Sequence, residues 1–210
     1  MVKVEASALP QEDNNMYDVI LFDLGGVLVE LIGSPFPLND QNNQFSLTDW
    51  FHSETAQKFE RGTISADEFV QQVKMELDLE ASTNEIVRTF VNWPRQLYPG
   101  TNALLEKLKH SYTLAILSNT NELHEDVLLN KFELNRHVNH IFLSHRMGIA
   151  KPDPAAFNYV LEELNVKAGK VLFVDDNTDN VNTAKALGIH AHQVQGLDQL
   201  RLLLETLNLI

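Results

Sequence analysis

Val171-Leu172-Phe173-Val174 is an unbroken apolar run that ends in Asp175-Asp176-Asn177. A strand with one wet face alternates apolar and polar residues. Four apolar residues in a row belong instead to a strand covered on both faces, as in a parallel sheet between two layers of helices. Val19-Ile20-Leu21-Phe22 and Thr113-Leu114-Ala115-Ile116-Leu117 read the same way. Ile141-Phe142-Leu143 and the stretch from Ile189 to Val194 complete a set of five. Between them lie segments that read as helices: Gly100 to His110, Asn121 to Leu129, Asp153 to Leu164, Asn177 to Leu187 and Leu197 to Leu207. Pro152 and Pro154 bracket Asp153 at the start of the third, and Gly188 closes the fourth. This alternation predicts an α/β fold, a Rossmann-like open parallel sheet.

The stretch 32–98 breaks the alternation. Trp50, Phe51, Phe59, Phe69, Val73, Leu77, Ile86, Phe90 and Trp93 recur at helical spacings with no strand-like run. Ser65 with Glu68 forms a capping-box pattern, and Asn84 is a candidate cap for the next helix. The expected organisation is a flexible polar lead-in over 1–16, an α/β core over 17–31 and 99–210, and a small helical cap over 32–98. Trp50, Phe59, Phe90 and Trp93 read as the core of that cap. The biased run Asp40 to Gln44 reads as a loop.

Composition narrows the partners. Sixteen Lys and Arg against twenty-nine Asp and Glu give a net charge of −13, the wrong sign for a phosphate-backbone binder or a polybasic membrane anchor. Apolar residues make up 44% of 210, enough for a sizeable core. There is no cysteine, which removes disulfides, thiolate zinc sites and a cysteine nucleophile, and fits a reducing compartment. With no signal-peptide pattern and no apolar run near the roughly 20 residues that span a bilayer, a soluble cytoplasmic protein is expected, with neither nucleic acid nor membrane as partner.

Ligands of open α/β sheets bind where the strands end. Asp23 ends the first strand, Ser118 and Asn119 the second, and Asp175 with Asp176 the fourth; Lys151 stands before the helix that precedes the fourth. Carboxylates gathered at one edge repel unless a cation sits among them, and an all-oxygen set suits Mg²⁺. A lysine beside that ion balances a phosphate dianion, Ser118 and Asn119 offer neutral donors, and Asp23 can attack phosphorus to give an aspartyl-phosphate. His137 with His140, and His190 with His192, lack further ligands and read as ordinary histidines. His52 and Arg61 face either the cleft or a solvated helix surface.

Taken in order, these segments resemble the haloacid dehalogenase superfamily of hydrolases. Phe22-Asp23-Leu24-Gly25-Gly26-Val27 matches its first motif and Leu117-Ser118-Asn119 its second. Lys151-Pro152 matches the third, and Phe173-Val174-Asp175-Asp176-Asn177 with Asn180 the fourth. Phe59-Glu60-Arg61-Gly62-Thr63-Ile64-Ser65 resembles the helical cap of the branch that holds α-glucose-1-phosphatase. The resemblance implies that Asp23 is the nucleophile and a Mg²⁺ ligand. It makes the Gly25 carbonyl a second ligand and Asp176 the direct ligand from the fourth motif, with Asp175 close by. Ser118 and Asn119 would hold phosphoryl oxygens, Lys151 would bridge Asp23 and the phosphate, and Asn180 would support the metal site from behind.

One position departs from the pattern. Many phosphatases of the superfamily carry an acid and base two residues after the nucleophile, where this chain has Gly25. A positioned general acid is worth about 10²- to 10⁴-fold. Its loss predicts a preference for esters with acidic leaving groups, such as anomeric sugar phosphates, unless another residue supplies the proton, with His52 the first candidate. The expected activity is Mg²⁺-dependent hydrolysis of a small phosphorylated metabolite. The alternatives are a 2-haloacid dehalogenase, against which the adjacent acids Asp175 and Asp176 weigh, and a non-catalytic metabolite-binding member.

Overall fold

Residues 19–22 form the centre of the molecule. In the computed structural model, which describes residues 16–38 and 46–210, β1 (Val19–Phe22) is flanked on one side by β4 (Thr113–Ser118) and on the other by β6 (Val171–Asp175). Beyond these lie β5 (His140–Leu143) and β7 (His190–Gln193), so the parallel sheet runs β5-β4-β1-β6-β7. All five expected strands are present within a residue or two.

Both faces of β1 are dry, which explains its unbroken apolar run. Ile20 and Phe22 join Leu114, Ile116, Leu172 and Val174 in one apolar cluster; Val19 and Leu21 join Ala115, Leu117, Val171 and Phe173 in another. The first cluster is closed by α5 (Thr101–Lys109) and α11 (Gly196–Thr206), the second by α9 (Pro154–Glu163) and α10 (Thr178–Ala186). Cutting one such fully buried side chain to Ala costs about 2–5 kcal/mol. The caps follow the sequence closely: Asp153 and Asn177 accept N–H bonds at the starts of α9 and α10.

Four short helices, α1 (Leu47–Phe51), α2 (Glu54–Glu60), α3 (Ala66–Glu76) and α4 (Thr83–Val91), build a separate layer. Each begins at a serine whose hydroxyl accepts a backbone N–H: Ser46, Ser53, Ser65 and Ser82. Such a cap is worth about 1 kcal/mol, a large share of the stability of helices this short. The Ser65–Glu68 capping box forms, but Ser82, not Asn84, caps α4, which leaves Asn84 inside the first turn. The layer has its own core, in which the rings of Phe59 and Phe69 stack with centroids 4.0 Å apart and Trp50 and Phe90 are buried. Trp93 lies at its edge.

The stretch expected to hold no strand does contain one. β3 (Pro94–Leu97) pairs antiparallel with β2 (Val29–Leu31). Its residues Pro94-Arg95-Gln96-Leu97 lack the apolar run of a core strand, and Pro94 at its start gives no ladder N–H. The remaining helices are α6 (Glu122–Asp126), continued by a π-helical turn over Val127–Lys131, then α7 (Leu134–His137) and α8 (Ser144–Met147). The expected lead-in over 1–16, apart from Met16, and the Asp40–Gln44 loop lie outside the described residues.

Candidate active site

Strand register gathers the polar groups. Phe22 pairs with Ile116 and Val174, so Asp23, Ser118 and Asp175 leave the sheet at one edge. The Asp23 N–H donates to the Val174 carbonyl at 2.9 Å, which extends the ladder by one residue and fixes where the carboxylate starts. Lys151 enters from the loop before α9 and places its Nζ 2.6 Å from Asp23 Oδ1 and 2.6 Å from Asp175 Oδ2. All three residues are buried.

Asn119 anchors the main chain that carries this lysine. The Asn119 amide donates to the Lys151 carbonyl at 2.8 Å and accepts from the Lys151 N–H at 2.8 Å. The side chain expected to hold a phosphoryl oxygen is therefore engaged with the main chain of Lys151. Ser118 differs: its hydroxyl lies 3.5 Å from the Asn119 carbonyl, too long for a strong bond, and stays available to the cleft. Asn180 donates from Nδ2 to both oxygens of Asp175, at 3.1 and 3.0 Å, and the Asn177 N–H adds a bond of 2.8 Å to Oδ1.

The electrostatics call for a further positive charge. Asp23, Asp175 and Asp176 each offer a carboxylate oxygen, and these oxygens lie within 4.8 Å of one another. One ammonium faces the three carboxylates. Burial, with repulsion from Asp175 partly offset by Lys151, pushes Asp23 up to about 7. Burial and Asp175 push Asp176 up to about 6. Burial opposes the charge on Lys151, yet Asp175 and Asp23 hold it above the ordinary lysine value. A divalent ion with oxygen preference relieves this imbalance, so the residues present fit Mg²⁺. Among the described residues no histidine pair joins a cluster of this kind.

Two backbone positions shape the same corner. Gly26 has φ 74°, and a Cβ there would run into the Asp176 carboxylate. Gly25 bridges to Val29, and a Cβ on it would lie 3.1 Å from Leu31 Cδ1.

The site opens into a cleft of about 470 Å³ between the sheet edge and the helical layer. His52 and Arg61, whose facing was open in the sequence, both line it, as does Trp93. Two residues that sequence reading missed also line it. His124, at the start of the core segment after β4, is buried, with its Nε2 2.7 Å from the Phe90 carbonyl and its ring stacked on Phe90. Glu60 ends α2; it follows Ala56 and Phe59 on one helical stripe, and that spacing was the signal available.

Residues 17–188 match the family model of haloacid dehalogenase-like hydrolases. The chain belongs to that family. Among haloacid dehalogenase-like relatives, it is 26% identical over 185 residues to the D-ribitol-5-phosphate phosphatase of Bacteroides thetaiotaomicron, covering 83% of this chain and 90% of the relative. It is 32% identical over 185 residues to a sesquiterpene phosphatase of Aspergillus oryzae, covering 82% and 87%. It is 31% identical over 182 residues to the drimenol cyclase of Aspergillus calidoustus, but spans only 34% of that protein's length against 84% of its own. A solved Bacteroides thetaiotaomicron enzyme of the family, in complex with magnesium and inorganic phosphate, superposes with a TM-score of 0.73 at 26% identity, covering 85% of this chain and 94% of that one. Among the described residues, no helix is long and apolar enough to cross a membrane.

Proposed function

We propose that this chain is a Mg²⁺-dependent phosphatase that acts on a small phosphorylated metabolite through an aspartyl-phosphate on Asp23. The observation that carries the reading is the Lys151 ammonium held 2.6 Å from both Asp23 and Asp175 beside a third carboxylate, Asp176. Relatives named as phosphatases and the family structure with magnesium and phosphate support it.

In this reading Asp23 attacks phosphorus in line with the ester oxygen. Lys151 neutralises charge between the carboxylate and the phosphoryl group, and the Ser118 hydroxyl donates to a phosphoryl oxygen. Asn119 positions Lys151. Asp23, the Gly25 carbonyl and Asp176 would hold Mg²⁺, which supplies Lewis-acid stabilisation of the phosphoryl oxygens. Asp175 already has both oxygens engaged by Lys151, Asn180 and Asn177, which supports Asp176 as the direct ligand. Asn180 keeps Asp175 in place. Residues 17–31 and 99–210 form the catalytic core, and 32–98 act as a cap that limits water and large substrates. The acidic surface and absent cysteines support a cytoplasmic enzyme that uses neither nucleic acid nor membrane.

The test is a panel of phosphorylated metabolites assayed with Mg²⁺ and with excess EDTA. The expected result is turnover with Mg²⁺ that EDTA abolishes, and that the Asp176→Ala variant shows only at raised Mg²⁺. Full activity in EDTA would overturn the Mg²⁺ dependence, and halide release from a 2-haloacid would favour attack of Asp23 on carbon, the dehalogenase chemistry.

A further inference from the structure

The proposed reaction leaves one proton unassigned. When Asp23 displaces the ester oxygen, that oxygen departs as an alkoxide unless a proton meets it. The water that later attacks the phosphoaspartate must lose one. Few groups in the cleft are free to serve. Asp23 is the attacking group, Asp175 is bonded on both oxygens, and Asp176 belongs to the cation position. Lys151 is clamped between two carboxylates, and a guanidinium such as Arg61 does not release its proton. His124 has both ring nitrogens engaged, Nε2 by the Phe90 carbonyl at 2.7 Å and Nδ1 by the Asn121 amide at 3.3 Å. Gly25 has no side chain, and Leu31 closes the space beside it. His52 is exposed and has an interaction of its own, which leaves Glu60.

We propose that Glu60 is the general acid and base of this site, resting on the phosphatase reading above. Its carboxyl lines the cleft without a hydrogen bond or ion pair among the described residues. Its position is also fixed. Two residues on, Gly62 has φ 65°, and a Cβ there would lie 2.5 Å from the His145 carbonyl of α8, so the end of α2 is docked tightly on the core. Glu60 therefore stands on a seated element and not on a loose flap.

The steps balance. As Asp23 Oδ bonds to phosphorus and the P–O ester bond breaks, the Glu60 carboxylic acid passes its proton to the departing oxygen. The Glu60 carboxylate then takes a proton from the water that attacks phosphorus, the P–Oδ bond breaks, and Asp23 and protonated Glu60 are restored. Burial lifts the Glu60 carboxyl to about 7, against the pull of Lys151 and Arg61, which suits both halves of the cycle. The other titratable groups that share the cleft are Asp23, Asp175 and Asp176 at the sheet edge, His124 on α6 and His52 after α1. In this role Glu60 removes the preference for acidic leaving groups that Gly25 alone predicts.

The deciding experiment measures kcat/KM with Mg²⁺ for p-nitrophenyl, phenyl and simple alkyl phosphates, in wild type and Glu60→Gln. Wild type should depend weakly on leaving-group acidity. Glu60→Gln should stay within about tenfold on p-nitrophenyl phosphate and lose about 10²- to 10⁴-fold on alkyl phosphates. Its p-nitrophenol release should show a burst as phosphoaspartate accumulates. Glu60→Asp should regain part of the alkyl activity, and it answers the question if the Gln variant fails to fold by circular dichroism. A loss equal for all esters, no loss, or the selective loss appearing in His52→Gln instead would overturn the assignment. A wild type inactive on every ester would overturn the phosphatase reading itself.

Discussion

On the sheet side of the cleft almost every polar atom has a partner, and on the helical side several have none. Lys151 is held by two carboxylates and by both ends of the Asn119 amide, and Asp175 by three donors. Across the gap, the Glu60 carboxyl is unpaired among the described residues, and the Trp93 indole N–H is buried without an acceptor. A wall of fixed dipoles stabilises charge that appears at one place, which is what phosphoryl transfer requires. A wall with free hydrogen-bonding groups instead leaves them for the substrate. Phosphoryl transfer is therefore written on one wall, and substrate choice, with the proton transfer proposed for Glu60, on the other.

The strongest way to break this division is Asp23→Asn. Turnover should fall below about one ten-thousandth of wild type, while the circular dichroism spectrum and Mg²⁺-free fold persist. Substantial phosphatase activity in a pure sample would move the nucleophile elsewhere. Lys151→Ala should lower kcat/KM by roughly 10³-fold and also destabilise the protein by about 3–5 kcal/mol, because two buried carboxylates lose their shared counterion. Arg should not restore it, being planar and larger. Denaturant unfolding alongside kinetics checks both parts, and near-normal kinetics would remove Lys151 from the site.

His124 joins the two walls, and pH should test that joint. Burial holds it down at about 4, despite its bond to the Phe90 carbonyl. An unfolded histidine titrates near 6.5, so between these values the unfolded chain binds the extra proton. Its contribution is thus full above about 6.5 and is lost as pH falls towards about 4. Going from pH 7.5 to 5, wild type should lose roughly 2 kcal/mol more than His124→Gln in guanidinium unfolding. Equal losses would show that His124 is not held neutral. The smallest expected effect lies on the helical wall: Trp93→Phe, which removes the free indole N–H, should raise KM several-fold and leave kcat within about threefold, a difference near 1 kcal/mol. A fall in kcat alone would place Trp93 with the chemistry.

What the sequence revealed follows from the same physics. β1, β4 and β6 were legible because burial on both faces leaves an apolar run that no other element needs so briefly. Asp23, Lys151 and Asp175 were legible as chemistry because strand ends converge. β3 was not, since Arg95 and Gln96 face water and its pairing with Glu30 spans the whole helical layer. Ser82 and Asn84 are both good caps by type, and only the backbone path chooses between them. The amide of Asn119 was visible, but its partner is 32 residues away. Glu60 stood in the cap motif with no role of its own, because apart from the stripe it shares with Ala56 and Phe59 the burial of a carboxyl leaves no mark on a residue name.

The sheet order carries a consequence for how the chain is made. Among the strands of this sheet β1 is made first, yet Val19 finds its neighbours only in Thr113 and Val171, far along the chain. Until then its four apolar residues and both hydrogen-bonding edges stay open, a condition that slows folding and invites pairing with other nascent chains. The helical layer, whose contacts are close in sequence, can form meanwhile. The strand that ends in Asp23 is thus the first part of the catalytic core to be translated and among the last to be sheltered.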